Sequence, residues 1–280
     1  MDICEIYFSP TGGTKRVVDC LAEGILSAGG QESRGIAVDG EKSGGNPKPR
    51  EVDLSDARLD FGSFRFREGE LCVIGVPSYG GRVPAAAIQR IGRMSGGGAT
   101  AVIAAVYGNR AYDDTLLELK EAAEATGFRV ICAVAAVAEH SIARVYGAGR
   151  PDVKDREELY AFARKIQGKL AGEERDLGAD GEQELAVPGK KPFREYGGVP
   201  VKPVGGKGCT RCGLCAARCP VGAIPRENPA KVDKKICISC MRCVAVCPAG
   251  ARKANPVLLF GAKQMLKKVC AGRKKNELFL

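Results

Sequence analysis

The chain of 280 residues has no tryptophan and a single histidine. No stretch approaches the roughly 18 consecutive apolar residues that crossing a bilayer requires. The opening segment MDICEIYFSP lacks both a basic start and a long apolar run, so it does not read as a secretory leader. The expectation is a soluble, cytoplasmic protein with no transmembrane segment. Thiols stay reduced in that compartment, and thirteen cysteines therefore argue for metal ligation before disulfides. The usual nucleotide loops are missing too: after the first apolar run the chain carries neither G-x4-G-K-[ST] nor G-x-G-x-x-G.

The net charge of +10 is unevenly spread. Residues 1–150 carry 17 Lys and Arg against 19 Asp and Glu, whereas residues 201–255 carry 11 against 2. No recognition-helix motif accompanies the basic segment. Its charge suits docking to an acidic protein partner, or balancing negative groups bound within it, better than it suits nucleic acid.

Two stretches explain that segment. CTRCGLCAARCP runs from Cys209 to Pro220 and CISCMRCVAVCP from Cys237 to Pro248, each a C-x2-C-x2-C-x3-C-P run, with every cysteine offset by 28 positions. Gly222-Ala223 and Gly250-Ala251 continue the duplication. Zinc usually takes cysteines as two separated pairs. Three closely spaced thiolates and a fourth before proline suit an iron-sulfur cube instead, because the short spacers turn the backbone around the inorganic core. Where two such runs occur together, each cluster takes its fourth ligand from the other run. The expected sets are Cys209, Cys212, Cys215 and Cys247 for one [4Fe-4S] cluster, and Cys237, Cys240, Cys243 and Cys219 for the other. Two oxidised clusters, at about −2 each, offset part of the local positive charge. Residues 201–255 resemble a bacterial-type two-[4Fe-4S] ferredoxin, which implies one-electron transfer through two adjacent low-potential cubanes.

The first half alternates short apolar runs with amphipathic ones: ICEIYF (3–8), KRVVDCLAEGIL (15–26), LCVIGV (71–76), TAVIAAVYG (100–108), DTLLELKEAAEATG and RVICAVAAVA (129–138). Continuous apolar strands between helices predict a parallel sheet covered on both faces. Either RGIAV (34–38) or REVDL (50–54) could supply the second strand. Ligands of such sheets bind beyond the strands' carboxyl ends. There the first strand is followed by Ser9, Pro10, Thr11, Gly12, Gly13 and Thr14, hydroxyls and glycines opening a helix and able to cradle a phosphate. After the third strand come Pro77, Ser78, Tyr79, Gly80, Gly81 and Arg82, and after the fourth Tyr107, Gly108, Asn109 and Arg110, with Tyr112, Asp113 and Asp114 behind. The first loop is similar to the S/T-x-T-G-x-T phosphate loop of flavodoxins. That resemblance implies FMN, its phosphate on the first loop and its isoalloxazine ring between the other two, with Tyr79 in place of the absent tryptophan.

The remaining candidates have plainer readings. His140 borders the ligand edge and is a weak candidate for proton donation, set against a loop histidine that caps its own turn. Cys4, Cys72 and Cys132 lie in apolar runs as small hydrophobes, and Cys20 and Cys270 sit on helical stretches with no partner at ligand spacing. Arg82 and Arg110 could face a reduced flavin or simply solvent. The end of the chain, PVLLFGAKQMLKKVCAGRKKNELFL, reads as a basic amphipathic helix with an apolar end; packing back on the first domain is favoured over binding a membrane surface.

The expected architecture is α/β: a flavodoxin-like doubly wound parallel sheet over residues 1–170, a linker over 171–200, a small α+β two-cluster ferredoxin domain over 201–255, and a C-terminal helix and tail over 256–280. This resembles the fused flavodoxin-ferredoxin proteins of anaerobes. The fusion implies an electron carrier between FMN, two clusters and an external partner. The alternative is an FMN-dependent oxidoreductase acting on a nicotinamide or small molecule.

Overall fold

The computed structural model describes residues 3–30, 49–172 and 185–280. Five parallel strands form most of one sheet: β1 (Ile3–Tyr7), β2 (Arg50–Asp53), β3 (Leu71–Pro77), β4 (Thr100–Tyr107) and β5 (Arg129–Val137), in the order β2-β1-β3-β4-β5. That is the flavodoxin-like order of a doubly wound sheet, with its switch point between β1 and β3. Of the two segments that could supply the second strand, REVDL does so; RGIAV lies outside the described residues.

The strands are apolar throughout because both faces are covered. Alternation divides their side chains between two cores: Cys72, Ile74 and Val76 of β3 face one way with Ile6, while Leu71 and Val73 face the other with Val102. Helices α2 (Ala85–Ile91) and α3 (Thr115–Glu124) contribute Ile91, Leu116 and Leu119 to the first core. Helices α1 (Gly13–Ala28) and α4 (Val153–Ala171) supply Val17, Leu21, Ile25, Leu159 and Ile166 to the second. Each such fully buried side chain contributes roughly 1.5–3 kcal/mol.

The cysteine-rich segment adds a short antiparallel pair, β6 (Val204–Gly205) with β7 (Arg252–Lys253), and two one-turn helices, α5 (Leu214–Ala217) and α6 (Arg242–Ala245). Its duplication extends to the backbone. Positive φ recurs at Arg211 and Ser239 (58° and 55°), Gly213 and Met241 (75° and 63°), and Gly222 and Gly250 (65° and 56°), each pair 28 residues apart. Non-glycine residues rarely adopt such angles, so the two loops are held in one shape that three side chains tolerate under constraint.

The end of the chain departs from expectation. Helix α7 (Pro256–Leu266) buries none of its side chains: Val257, Phe260 and Met265 are 75%, 64% and 83% exposed. The segment after it returns instead. Strand β8 (Glu277–Phe279) pairs antiparallel with β5, Leu278 opposite Val134, and makes a sixth strand. Cys270 lies in a turn beyond the helix and is buried. Among the described residues no helix is long and apolar enough to cross a membrane.

Candidate metal centres and nucleotide loop

Two cavities lie in the cysteine-rich segment. Cys209, Cys212, Cys215 and Cys247 line the first, with Arg252; Cys219, Cys237, Cys240 and Cys243 line the second, with Ile224. The exchange of fourth cysteines between the two runs follows from the loop geometry. Each distal cysteine leaves its one-turn helix toward the other loop, and Pro220 or Pro248 then fixes φ. All eight cysteines are free thiols.

The donor set fits a cluster better than a single ion. Among the described residues no three thiol, imidazole or carboxylate groups converge closely enough for one metal ion. Four thiols line each cavity, the number of ligands a [4Fe-4S] core takes. Burial pushes Cys240 up to about 12 and Cys243 up to about 11, and raises Cys215. Thiolates so placed need positive charge inside the cavity to form, which bound iron supplies. Ala223 N–H donates to Cys219 Sγ at 3.3 Å, a backbone contact that suits a thiolate.

The second cavity is set against the flavodoxin-like sheet. Val221 and Ile238, on its wall, pack on the first core together with Tyr79. Burial, with Cys240 and Tyr196 nearby, raises the Tyr79 hydroxyl well above its usual range. Arg242, between Cys240 and Cys243 in sequence, donates from Nη1 to Ser9 O and from Nη2 to Asp53 Oδ2, both at 3.3 Å. Arg90 bridges Leu54 O and Pro220 O. The first cavity has no such neighbours among its lining residues, and its Cys212 is exposed.

Ser9, Thr11, Gly12, Gly13 and Thr14 form the turn from β1 into α1. Gly12 adopts φ +86°, α1 has no side-chain cap, and its first turn holds no acid. Ser9 Oγ accepts from Lys15 N–H at 2.9 Å, and Ser9 N–H donates to Ser55 Oγ at 3.0 Å. Ser9 Oγ thus takes one first-turn N–H; the others at this glycine-opened helix end are free to accept an anion, so the phosphate end of a mononucleotide fits.

The ring end does not fit as the loops stand. Tyr79 to Arg82 form a tight two-residue turn, with Gly80 and Gly81 at φ +63° and +87°. A Cβ on Gly80 would meet the Tyr196 ring at 2.1 Å, one on Gly81 would meet Asp113 at 2.2 Å, and one on Gly108 would meet His140 at 2.7 Å. Thr115 Oγ1 donates to Ser78 Oγ at 2.8 Å, and Pro77 ends β3. Asn109 Nδ2 donates to Cys270 O and Gly272 O at 2.7 and 2.8 Å, and Tyr107 Oη to Lys275 O at 3.3 Å. Arg110 pairs with Asp113, and Arg82 with Glu118 at 2.7 Å. Tyr196 of the linker, Asp113, His140 and the tail therefore lie against the glycines and polar groups that the flavodoxin resemblance assigns to the ring.

His140 caps its own turn through one ring nitrogen. Its Nδ1 accepts from Ile142 N–H at 3.1 Å and Ala143 N–H at 3.2 Å, and burial lowers its pKa, which keeps it neutral. Sequence reasoning passed over Tyr196, Arg242 and Arg252. Laying the second cysteine run on the first would have marked Arg252, which stands 28 positions after Ile224.

Comparisons with known proteins bear on both parts. Residues 208–251 match the family described as a 4Fe-4S dicluster domain. Among solved structures, the chain is similar to a flavodoxin from the domain Archaea (15% identity, 61% of this chain and 99% of that one, TM-score 0.38). It is also similar to a flavodoxin of Streptococcus pneumoniae TIGR4 (16% identity, 60% and 99%, TM-score 0.37). A third is an NAD(P)H:quinone oxidoreductase from Methanothermobacter marburgensis (13% identity, 61% and 96%, TM-score 0.32). No curated protein matches the chain. The fold rests on the strand order itself: a flavodoxin-like sheet is fused to a ferredoxin-type dicluster segment.

Proposed function

We propose that this protein relays low-potential electrons between FMN in its first domain and an external redox protein, through two [4Fe-4S] clusters. Cys209, Cys212, Cys215 and Cys247 hold the outer cluster; Cys219, Cys237, Cys240 and Cys243 hold the inner one. The observation that carries this reading is the sorting of eight cysteines into two cavities of four, one of them against the flavodoxin-like sheet. Bound clusters supply one-electron sites. The chain fixes where they stand, shields the inner one from water and offers the outer one at its surface. The excess of 11 basic over 2 acidic residues in 201–255 favours a partner with an acidic docking face.

FMN enters this proposal through Ser9, Thr11, Gly12, Gly13 and Thr14, whose open helix end suits its phosphate. The loops Pro77 to Gly81 and Tyr107 to Arg110 receive the ring once the Tyr196 side chain and the tail segment on Asn109 and Tyr107 give way. The test is anaerobic titration of the full chain with FMN and with riboflavin, followed by flavin fluorescence. FMN should bind and riboflavin, which lacks the phosphate, should bind at least tenfold more weakly; Tyr196→Ala should tighten FMN. Equal binding of the two flavins, or none, would overturn the assignment of the loop. Prompt bleaching of bound flavin by NADH or NADPH would move the reading to an oxidoreductase.

A further inference from the structure

The two cavities have matching cysteines and matching backbones, so differences between their centres come from how each is covered and from the remaining side chains. The largest difference lies at one related pair. Ile224 lines the inner cavity, and Arg252, 28 residues later, lines the outer one. Arg252 is 2% exposed, the largest of the fully buried side chains, and forms no ion pair with a carboxylate among the described residues. Its Nη1 donates to Pro229 O at 3.0 Å and its Nη2 to Lys231 O at 2.9 Å, which pins the guanidinium beside the cavity. Its Nε–H is buried and has no partner. A buried donor left unpaired is costly, and the cavity that Arg252 lines is where a partner would stand.

The cations near the inner cavity are differently placed. Arg242 also has a buried Nε–H without a partner, but it does not line that cavity, and its charge is met by Asp53 at 3.3 Å. Lys202 donates to Cys237 O at 2.5 Å but is partly open to water, which screens it. Arg252 thus lines the outer cavity with a buried guanidinium and a free N–H, where its mate lines the inner one with a hydrocarbon, and only the reach of its charge to Cys243 is shared with the inner set. Hydrogen bonds to cluster sulfurs and local charge both set cluster potential, and both favour the more negative, reduced state of the outer centre.

Building on the two-cluster reading, we propose that Arg252 splits the pair, making the outer centre the first to be reduced and the resting place of a single electron. One electron passed from the inner centre oxidises it and reduces the outer one, with no bond made or broken. The downhill direction then runs from the sheet toward the exposed Cys212.

The test is an anaerobic reductive titration of the full chain and of Arg252→Ile, Arg252→Gln and Arg252→Lys, with iron and sulfide quantified and each reduced centre followed by electron spin resonance. A soluble dysprosium chelate broadens the signal nearer the surface and so identifies the outer centre. Wild type should titrate in two waves, the outer centre first. Arg252→Ile, which restores the symmetry with Ile224, should lower the outer wave by at least tenfold in reduction equilibrium, about 59 mV for one electron, and move the inner wave less. Arg252→Lys should keep part of the split through its charge, and Arg252→Gln less. The glutamine and lysine variants decide the matter should the isoleucine variant lose iron. A full iron count with unmoved waves contradicts this inference alone; an iron count far short of two clusters in wild type contradicts the two-cluster reading itself.

Discussion

Asp155→Asn should free the C-terminal tail. The carboxylate of Asp155 is wholly buried and accepts from Arg150 Nε and Nη2 at 2.9 and 2.5 Å, Arg273 Nη2 at 3.0 Å, Asn276 Nδ2 at 3.1 Å and Asp152 N–H at 2.9 Å. It therefore joins the start of α4 to the segment that leads into β8. An amide of the same size turns two N–H groups toward these donors and leaves Arg150, 4% exposed, without its counter-charge. Uncoupling a buried pair costs about 3–5 kcal/mol; the half-exposed Arg273 adds at most about 1 kcal/mol. At about 1.4 kcal/mol per factor of ten, hydrogen exchange in β8 should accelerate at least a hundredfold, up to the limit set by global unfolding. Iron content should not change. Because the tail also covers Asn109 and Tyr107, FMN should bind the variant more tightly. A loss below about 1 kcal/mol, with β8 still protected, would refute the reasoning.

Other predictions follow from the same contacts. Burial alone would raise the Asp155 carboxyl, but hydrogen bonds from Arg150, Asp152 N–H and Asn276 hold it low; the Arg273 guanidinium holds Asp152 low as well. Both folded-state pKa values are depressed, so the stability they give is full above the ordinary range near 4 and lost as pH falls through the folded values; β8 should lose exchange protection in acid, before the central strands. Arg242→Gln should cost about 1–2 kcal/mol of contact between the inner cysteine loop and the nucleotide loop, seen as roughly tenfold faster exchange around Ser9 with iron content unchanged; unaltered exchange there would count against the contact. Burial and the neighbouring Asp19 push Glu5 up to about 8. The folded chain therefore holds a proton that the unfolded chain releases, and stability falls as pH rises from the ordinary range toward 8. Glu5→Gln should remove that slope and raise the thermal midpoint at pH 8 by about 1–2 kcal/mol of stability, less than the full shift because Lys15 and water screen the group. Cys240→Ala should lose about half the iron, whereas Cys20→Ala should lose none.

The central strands were legible because parallel strands buried on both faces leave long apolar runs such as LCVIGV and TAVIAAVYG. The grouping of four cysteines around each cavity was legible for a different reason: a 28-residue repeat leaves few ways to divide eight cysteines into two sets. β2 was ambiguous because it is an edge strand, with Arg50 and Glu51 exposed, and carries little hydrophobic signal. β8 was missed since three residues have no period to read, and its placement depends on Asn276, Arg273 and Asp155 meeting across the fold. The helical expectation for the end of the chain held only for α7, whose apolar side chains stay exposed; what packs back is the polar segment after it. The nucleotide loops were recognisable one by one, but their covering by Tyr196, His140 and the tail comes from segments distant in sequence.

The central claim is that two iron-sulfur centres and the flavodoxin-like sheet form one electron path, and anaerobic purification with iron, sulfide and flavin quantified, followed by a reductive titration read by absorbance and spin resonance, tests it most directly. The account predicts about eight iron and eight sulfide per chain, magnetic interaction between the two reduced centres, and re-oxidation of added reduced FMN through them. Clusters that assemble fully yet never exchange electrons with bound flavin, or a chain that holds only one cluster, would contradict it.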